Sequence, residues 1–225
     1  MSGGPAGPGC ETVAEGLLHE PVSAVTSLAF VLAAGLILWE SQRAGPPQAA
    51  QTRRDSLRSS QRLAYPVLVT GIGVGSVVQH GPDPSWSDLA HDLPLAATLA
   101  LVAADAVAYL LGRSRAWWWW ALPTLALVPF IVAVPRAGDL AQAVVAGIAV
   151  ALTLARALAR HELRTRIGGA LTLLAVGATI GTLSRAGGPL CDPGSLWQGH
   201  AVWHVLASAA LVVLGPVLGT RARNR

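Results

Sequence analysis

An all-α membrane protein, a bundle of seven transmembrane helices with the N-terminus outside and the C-terminus in the cytoplasm, is the fold class the sequence predicts. Three observations predict it. Of 225 residues, 52% are hydrophobic and 12% charged. Apolar runs of about 18 to 23 residues, long enough to cross a bilayer as helix, recur along the chain. All 16 basic residues are arginine, and they gather in alternate connections.

Taken in order, the chain opens on MSGGPAGPGCE. This stretch lacks the charged region followed by an apolar core that a cleaved signal peptide requires, so the first span is expected to insert uncleaved behind a flexible Gly/Pro tail over residues 1–9. The spans then fall at roughly 19–40, 64–80, 88–112, 116–134, 139–158, 168–185 and 197–218. Pro94, Pro123 and Gly147 lie inside them, as is ordinary in membrane helices. The fourth begins at AWWWWALP, where Trp117 to Trp120 follow Arg115 and read as an interfacial aromatic anchor.

Arginines set the orientation. Arg43, Arg53, Arg54, Arg58 and Arg62 fill the first connection, Arg113 and Arg115 the third, Arg156, Arg160, Arg164 and Arg166 the fifth, and Arg221, Arg223 and Arg225 the tail. Only Arg136 and Arg185 remain for the other side, so the positive-inside rule puts the N-terminus outside and the C-terminus in the cytoplasm, an orientation that an odd number of spans fits. The organisation is an extracytoplasmic segment over 1–18, a seven-helix domain over 19–218 and a cytoplasmic basic tail over 219–225, in the cell membrane. The formal charge of +4 is a topology signal. No basic patch interleaved with aromatics exists on a soluble module, which excludes a nucleic-acid partner. Oligomeric state has no signature in the sequence.

Cys10, before the first span, and Cys191, before the seventh, are the two cysteines. Both fall outside, where a disulfide persists and would staple the N-terminal segment to the last helix; two unrelated buried thiols are the other reading. Depth brings further polar groups together. His80 ends span two, Asp88, His91 and Asp92 open span three, His200 and His204 open span seven, and Glu11, Glu15 and Glu20 surround the start of span one. Four helices thus carry imidazole or carboxylate groups to one leaflet. His161, in the arginine-rich fifth connection, reads as a solvated interface residue. Asp105, inside span three toward the cytoplasmic end, is a functional candidate by position, or equally a structural hydrogen bond or ion pair with a loop arginine.

HAVWH places His200 and His204 at i and i+4, on one helical face, where both rings can reach one metal ion. Hydrogen-bonded histidines are the plainer account of such a pair. In GVGSVVQHGPDPSWSDLAHDLP, however, Ser76 and His80 share a face in the same way, and a carboxylate-bearing helix follows. Three imidazoles would leave zinc one open position for water, the arrangement of a catalytic site.

At these motifs the chain resembles the alkaline ceramidase family, within the seven-span hydrolase superfamily that includes the progestin and adiponectin receptors. The resemblance is carried by Cys10-Glu11, by EPVS from Glu20 to Ser23 where the family has Glu-x-x-Asn, by Ser76 and His80, by HDLP from His91 to Pro94, and by HAVWH. It implies a seven-helix fold with the N-terminus outside, a Cys10–Cys191 disulfide, and zinc held by His80, His200 and His204. The family's span-three aspartate falls on His91 here, one residue before Asp92, so Asp92 is the expected holder of that role; His91 is a supporting residue or fourth ligand, and Asp88, one turn away, a further candidate. Glu11 and Glu20 fall on two family calcium positions, but the neighbouring positions are Pro8, Gly9 and Val13, which leaves few oxygen ligands for Ca2+.

The expected function is zinc-dependent hydrolysis of a ceramide-like lipid amide drawn from the bilayer. Zinc lowers the pKa of its water from about 16 toward about 7, and the resulting hydroxide attacks the amide carbonyl. Asp92 takes the water's proton and returns it to the leaving amine. Ser76 donates to the oxyanion. Gly71, Gly73, Gly75, Ala96 and Ala97 either leave room for an acyl chain or permit close packing. A metal-containing lipid sensor with little or no turnover is the alternative, and a haem-binding electron carrier a third reading.

Overall fold

The computed structural model describes residues 6–7, 9–43 and 53–220, without the side chains of 53–62 and 135–139. Most of the expected 1–9 tail, Arg221, Arg223 and Arg225, and the side chains of Arg53, Arg54, Arg58, Arg62 and Arg136 lie outside the described residues.

Among the described residues the chain is all-helical apart from an isolated bridge between Ala6 and Thr12. The helices are α1 (Pro21–Arg43), α2 (Arg53–His80), α3 (Ser87–Leu110), α4 (Trp118–Ala133), α5 (Pro135–Ala159), α6 (Arg164–Leu183) and α7 (Gly199–Leu214). Six of them are long and apolar enough to cross a membrane. Along α1, the exposed Val25, Leu28, Leu32 and Leu36 form an outward apolar stripe. Such a surface is stable against lipid tails, which are as apolar as leucine.

Helix α4 is the exception. It has 16 residues, about 24 Å at 1.5 Å per residue, against a hydrocarbon core of about 30 Å; α7, of equal length, is carried on by a 3-10 turn over Gly215–Val217 into a 19-residue apolar run. Val134 ends it at φ −144° and ψ 84°, outside the α region, which is disfavoured for the residue before a proline; Pro135 then opens α5. Helix α2 departs the other way and starts at Arg53, before the expected residue 64. Residues 53–63 contain neither glycine nor proline, so nothing stops the apolar span from extending into its polar approach.

Helix α2 packs between α1 and α3, α7 joins α1 to α6, and α5 lies on α3 and α4 while touching α6 only lightly. Phe30, Ile37, Val69, Ile72, Leu101 and Ile167 belong to the shared core. The small residues of α2 let its neighbours approach. A Cβ on Gly73 would stand 2.9 Å from Val31 on α1, one on Gly71 would stand 2.9 Å from Pro94 on α3, and one on Gly75 would collide with the Ala90 carbonyl. These three glycines serve packing. Ala96 is fully buried, whereas Ala97, with Pro94 and Thr124, walls an apolar cleft of about 300 Å³ between α2, α3 and α4. Gly75→Ala is expected to destabilise the bundle by about 1–3 kcal/mol, because a backbone carbonyl must yield. Thermal unfolding in detergent measures it; an unchanged midpoint would mean that α2 and α3 separate freely.

Far from the histidine-bearing helix ends, the opposite end of the bundle is tied by charge. Asp105 Oδ1 meets Arg115 Nη1 at 2.9 Å and Oδ2 meets Arg156 Nη1 at 2.8 Å. Both carboxylate oxygens also accept the Gly219 N–H at 3.1 Å. Arg156 Nη2 donates to the Val217 carbonyl and to Thr220 Oγ1, each at 2.7 Å, and its guanidinium lies over the Tyr109 ring at 4.4 Å. Arg156 belongs to the last turn of α5 and is 1% exposed; it is no loop residue. Burial pulls the Arg115 guanidinium below its ordinary pKa, with Asp105 opposing and Arg156 reinforcing that shift.

Candidate metal centre

Three histidines from two helices meet at the other end. His200 and His204 lie on one face of α7, as their spacing requires, and His80 is the last residue of α2. One ligand atom from each lies within 4.8 Å of the others. Their ring centroids are 4.6 Å (His200–His204), 4.9 Å (His80–His200) and 5.2 Å (His80–His204) apart. His80 and His204 are buried and His200 half-buried.

Hydrogen bonds assign the ring protons. His80 Nδ1 lies 2.5 Å from Glu20 Oε2. A carboxylate only accepts, so Nδ1 carries the proton and Nε2 the lone pair. Thr26 Oγ1 directs its one proton to the carbonyls of Val22, at 2.8 Å, and Ser23, at 3.1 Å. Toward His204 Nδ1, 3.2 Å away, it is therefore an acceptor, and His204 too keeps its Nε2 lone pair free. His80 Nε2 and His200 Nε2 are 3.2 Å apart. Two nitrogens about 2.1 Å from a tetrahedral zinc ion would be about 3.4 Å apart. The donor set, its spacing and its tautomers fit a metal ion, and imidazole nitrogen suits zinc among several transition metals.

Ser76 joins this cluster through α1. Ser27 Oγ donates to the Ser23 carbonyl at 2.7 Å, so it accepts from Ser76 Oγ at 2.8 Å. The proton of Ser76 thus points at Ser27, while its oxygen stands 3.4 Å from His204 Nε2. Asp92 is half-buried and bound to its neighbour: His91 Nδ1 and Asp92 Oδ1 are 2.7 Å apart. The close contact of Gly75 with Ala90 and the His91 backbone brings this pair beside the Ser76 turn of α2. Asp88 is exposed and accepts from Gln79 Nε2 at 3.0 Å. None of His91, Asp92 or Asp88 belongs to the three-histidine group that could hold a metal ion.

An N-terminal strap covers the centre. Cys10 and Cys191 form a disulfide, Thr12 Oγ1 donates to the Pro193 carbonyl at 2.8 Å, and Gly9 lies against His200. Both glutamates that fall on the family's calcium positions bind protein donors. Glu11 takes backbone N–H groups of α1 and the Ser23 hydroxyl, and Glu20 takes His80. Gln198, just before α7, donates to the carbonyls of Ser195 at 2.6 Å and Asp192 at 3.1 Å. That loop carries Leu196 and Trp197, 81% and 87% exposed, shortly before His200 in the chain.

Thr26, Ser27 and the Glu20–His80 pair were not singled out from the sequence. A Thr-Ser pair inside an apolar span has no helical signature of its own, though its place one to two turns into α1, level with HAVWH in depth, is the available signal. No protein-family model matches the chain, and no curated protein matches it.

Proposed function

We propose that the chain is an intramembrane zinc-dependent hydrolase that cleaves a ceramide-like lipid amide, oriented with the histidine end outside and α4 completing a seven-span topology. The observation that carries this reading is the convergence of His80, His200 and His204 with the Nδ1 protons of two rings directed outward to Glu20 and Thr26. Those three side chains would hold the ion. A zinc ion held by three imidazoles supplies Lewis acidity and lowers the pKa of a coordinated water toward about 7.

The chain's own groups do the rest. Asp92 is the proposed general base and acid, and its hydrogen bond to His91 fixes the carboxylate while leaving the second oxygen without a described partner. Ser76 serves an oxyanion once its hydroxyl rotates away from Ser27. A lipid would arrive sideways. Two features support that route: the light packing of α5 on α6, and the exposed Leu196 and Trp197 beside the centre, a residue pair suited to the headgroup level. The motif resemblance to alkaline ceramidases supports the same substrate class.

Purified protein is expected to contain about one zinc per chain, the stoichiometry of a single three-histidine site. His200→Ala is expected to lose both the metal and the hydrolysis of a fluorescent lipid amide, read by elemental analysis and product release. A fully active variant would remove these histidines from the chemistry. One observation favours a second reading, a metal-containing lipid sensor: Asp92 and Ser76 are both engaged by neighbours, His91 and Ser27. Retained metal with no turnover across a panel of lipid amides and esters would decide for the sensor.

A further inference from the structure

Glu20 directly precedes α1, at a position where an acidic side chain ordinarily folds back onto the first free N–H groups of its own helix. Here another residue does that. Glu11, nearer the N-terminus and before a short loop, accepts the Val22 N–H on Oε1 at 2.6 Å and the Ser23 N–H and hydroxyl on Oε2 at 2.9 and 2.8 Å. Glu20 is released to turn toward α2. Its Oε2 accepts from His80 Nδ1 at 2.5 Å, and its backbone N–H donates to the His80 carbonyl at 2.8 Å. Both side chains of the pair are 9% exposed.

The double attachment fixes the His80 ring in position and in rotation, with Nε2 turned to His200. Space for the carboxylate comes from Gly7 in the strap, where a Cβ would collide with Glu20 Oε1.

We propose that Glu20 is a positioning residue for the metal centre: it orients His80 and strengthens it as a ligand, a role made available because Glu11 caps α1 and Gly7 leaves room. This deepens the hydrolase reading and rests on its metal, though not on its substrate. Carboxylates that hold the far nitrogen of a ligating histidine fix its tautomer and raise its basicity, and their loss weakens metal affinity by about 10–100-fold.

The test uses the full chain in detergent, stripped of metal and titrated with Zn2+ against a chromophoric chelator, with the visible spectrum of the Co2+-loaded protein as a second readout. Glu20→Gln is expected to weaken zinc binding by about 10–100-fold and to alter the cobalt spectrum, and Glu20→Asp to recover part of both. Gly7→Ala, which displaces the carboxylate without touching a ligand, is expected to shift both readouts in the same direction. Wild-type affinity and spectrum in Glu20→Gln overturn the proposal and leave the hydrolase reading standing. A defect that appears only when calcium is added assigns the carboxylate to that ion and also overturns it. Wild-type protein that takes up neither zinc nor cobalt overturns both readings. Where Glu20→Gln does not fold, Gly7→Ala decides alone, with an unchanged affinity and spectrum counting against the proposal.

Discussion

Asp105→Ala is expected to destabilise the bundle by about 3–5 kcal/mol, the cost of removing one member of a buried ion-pair group. The carboxylate joins Arg115, Arg156 and the Gly219 N–H, so its loss leaves the 1%-exposed Arg156 beside Arg115 without the charge between them. It also releases the turn that follows α7. Equilibrium unfolding in detergent would read the loss. Pairing Asp105→Leu with Arg156→Met is expected to recover a substantial part of it, because a buried ionic group is often replaceable by apolar residues of similar volume. An unfolding midpoint equal to the wild type in Asp105→Ala would show that Asp105 adds nothing to the hold that Arg156 keeps on Val217 and Thr220.

Asp92→Asn is expected to lower lipid-amide hydrolysis by about 10²–10⁴-fold, the range for loss of a general acid–base. Zinc content and unfolding midpoint are expected to stay near the wild type, since Asp92 is outside the three-histidine group. His91→Ala separates the partners of the 2.7 Å pair. If His91 only steadies the carboxylate, its removal costs much less than Asp92→Asn. Equal losses in the two variants would make the pair the working unit, and an Asp92→Asn rate equal to the wild type would move the base elsewhere.

The candidate centre was legible in stages. His200 and His204 follow from spacing within one helix, and His80 from its place at the end of a second apolar run, so matching depth brings the three together before any contact is known. Cys10 and Cys191 read as partners for a related reason: both fall at the same end of the bundle. The partners of Asp105 were harder. Arg156 counts with the fifth connection by charge although it lies within the expected 139–158 span; the structure places it in the last turn of α5, buried. Helix length hid a second difference, since the hydropathy of 116–134 is continuous but α4 forms only over Trp118–Ala133.

What the sequence by itself determined is what depends on order along the chain: long apolar helices, the clustering of arginine in alternate connections, and the gathering of imidazoles and carboxylates at one set of helix ends. Those follow from hydropathy and helical repeat, which are local properties. Tertiary structure decided which donor meets which acceptor. Glu20 binds His80 instead of its own helix because Glu11 reaches the α1 N–H groups first, and Ser76 turns to Ser27 because the Ser27 proton is held by the Ser23 carbonyl. Such choices are competitions in three dimensions among groups distant in sequence, and no one-dimensional spacing encodes their outcome.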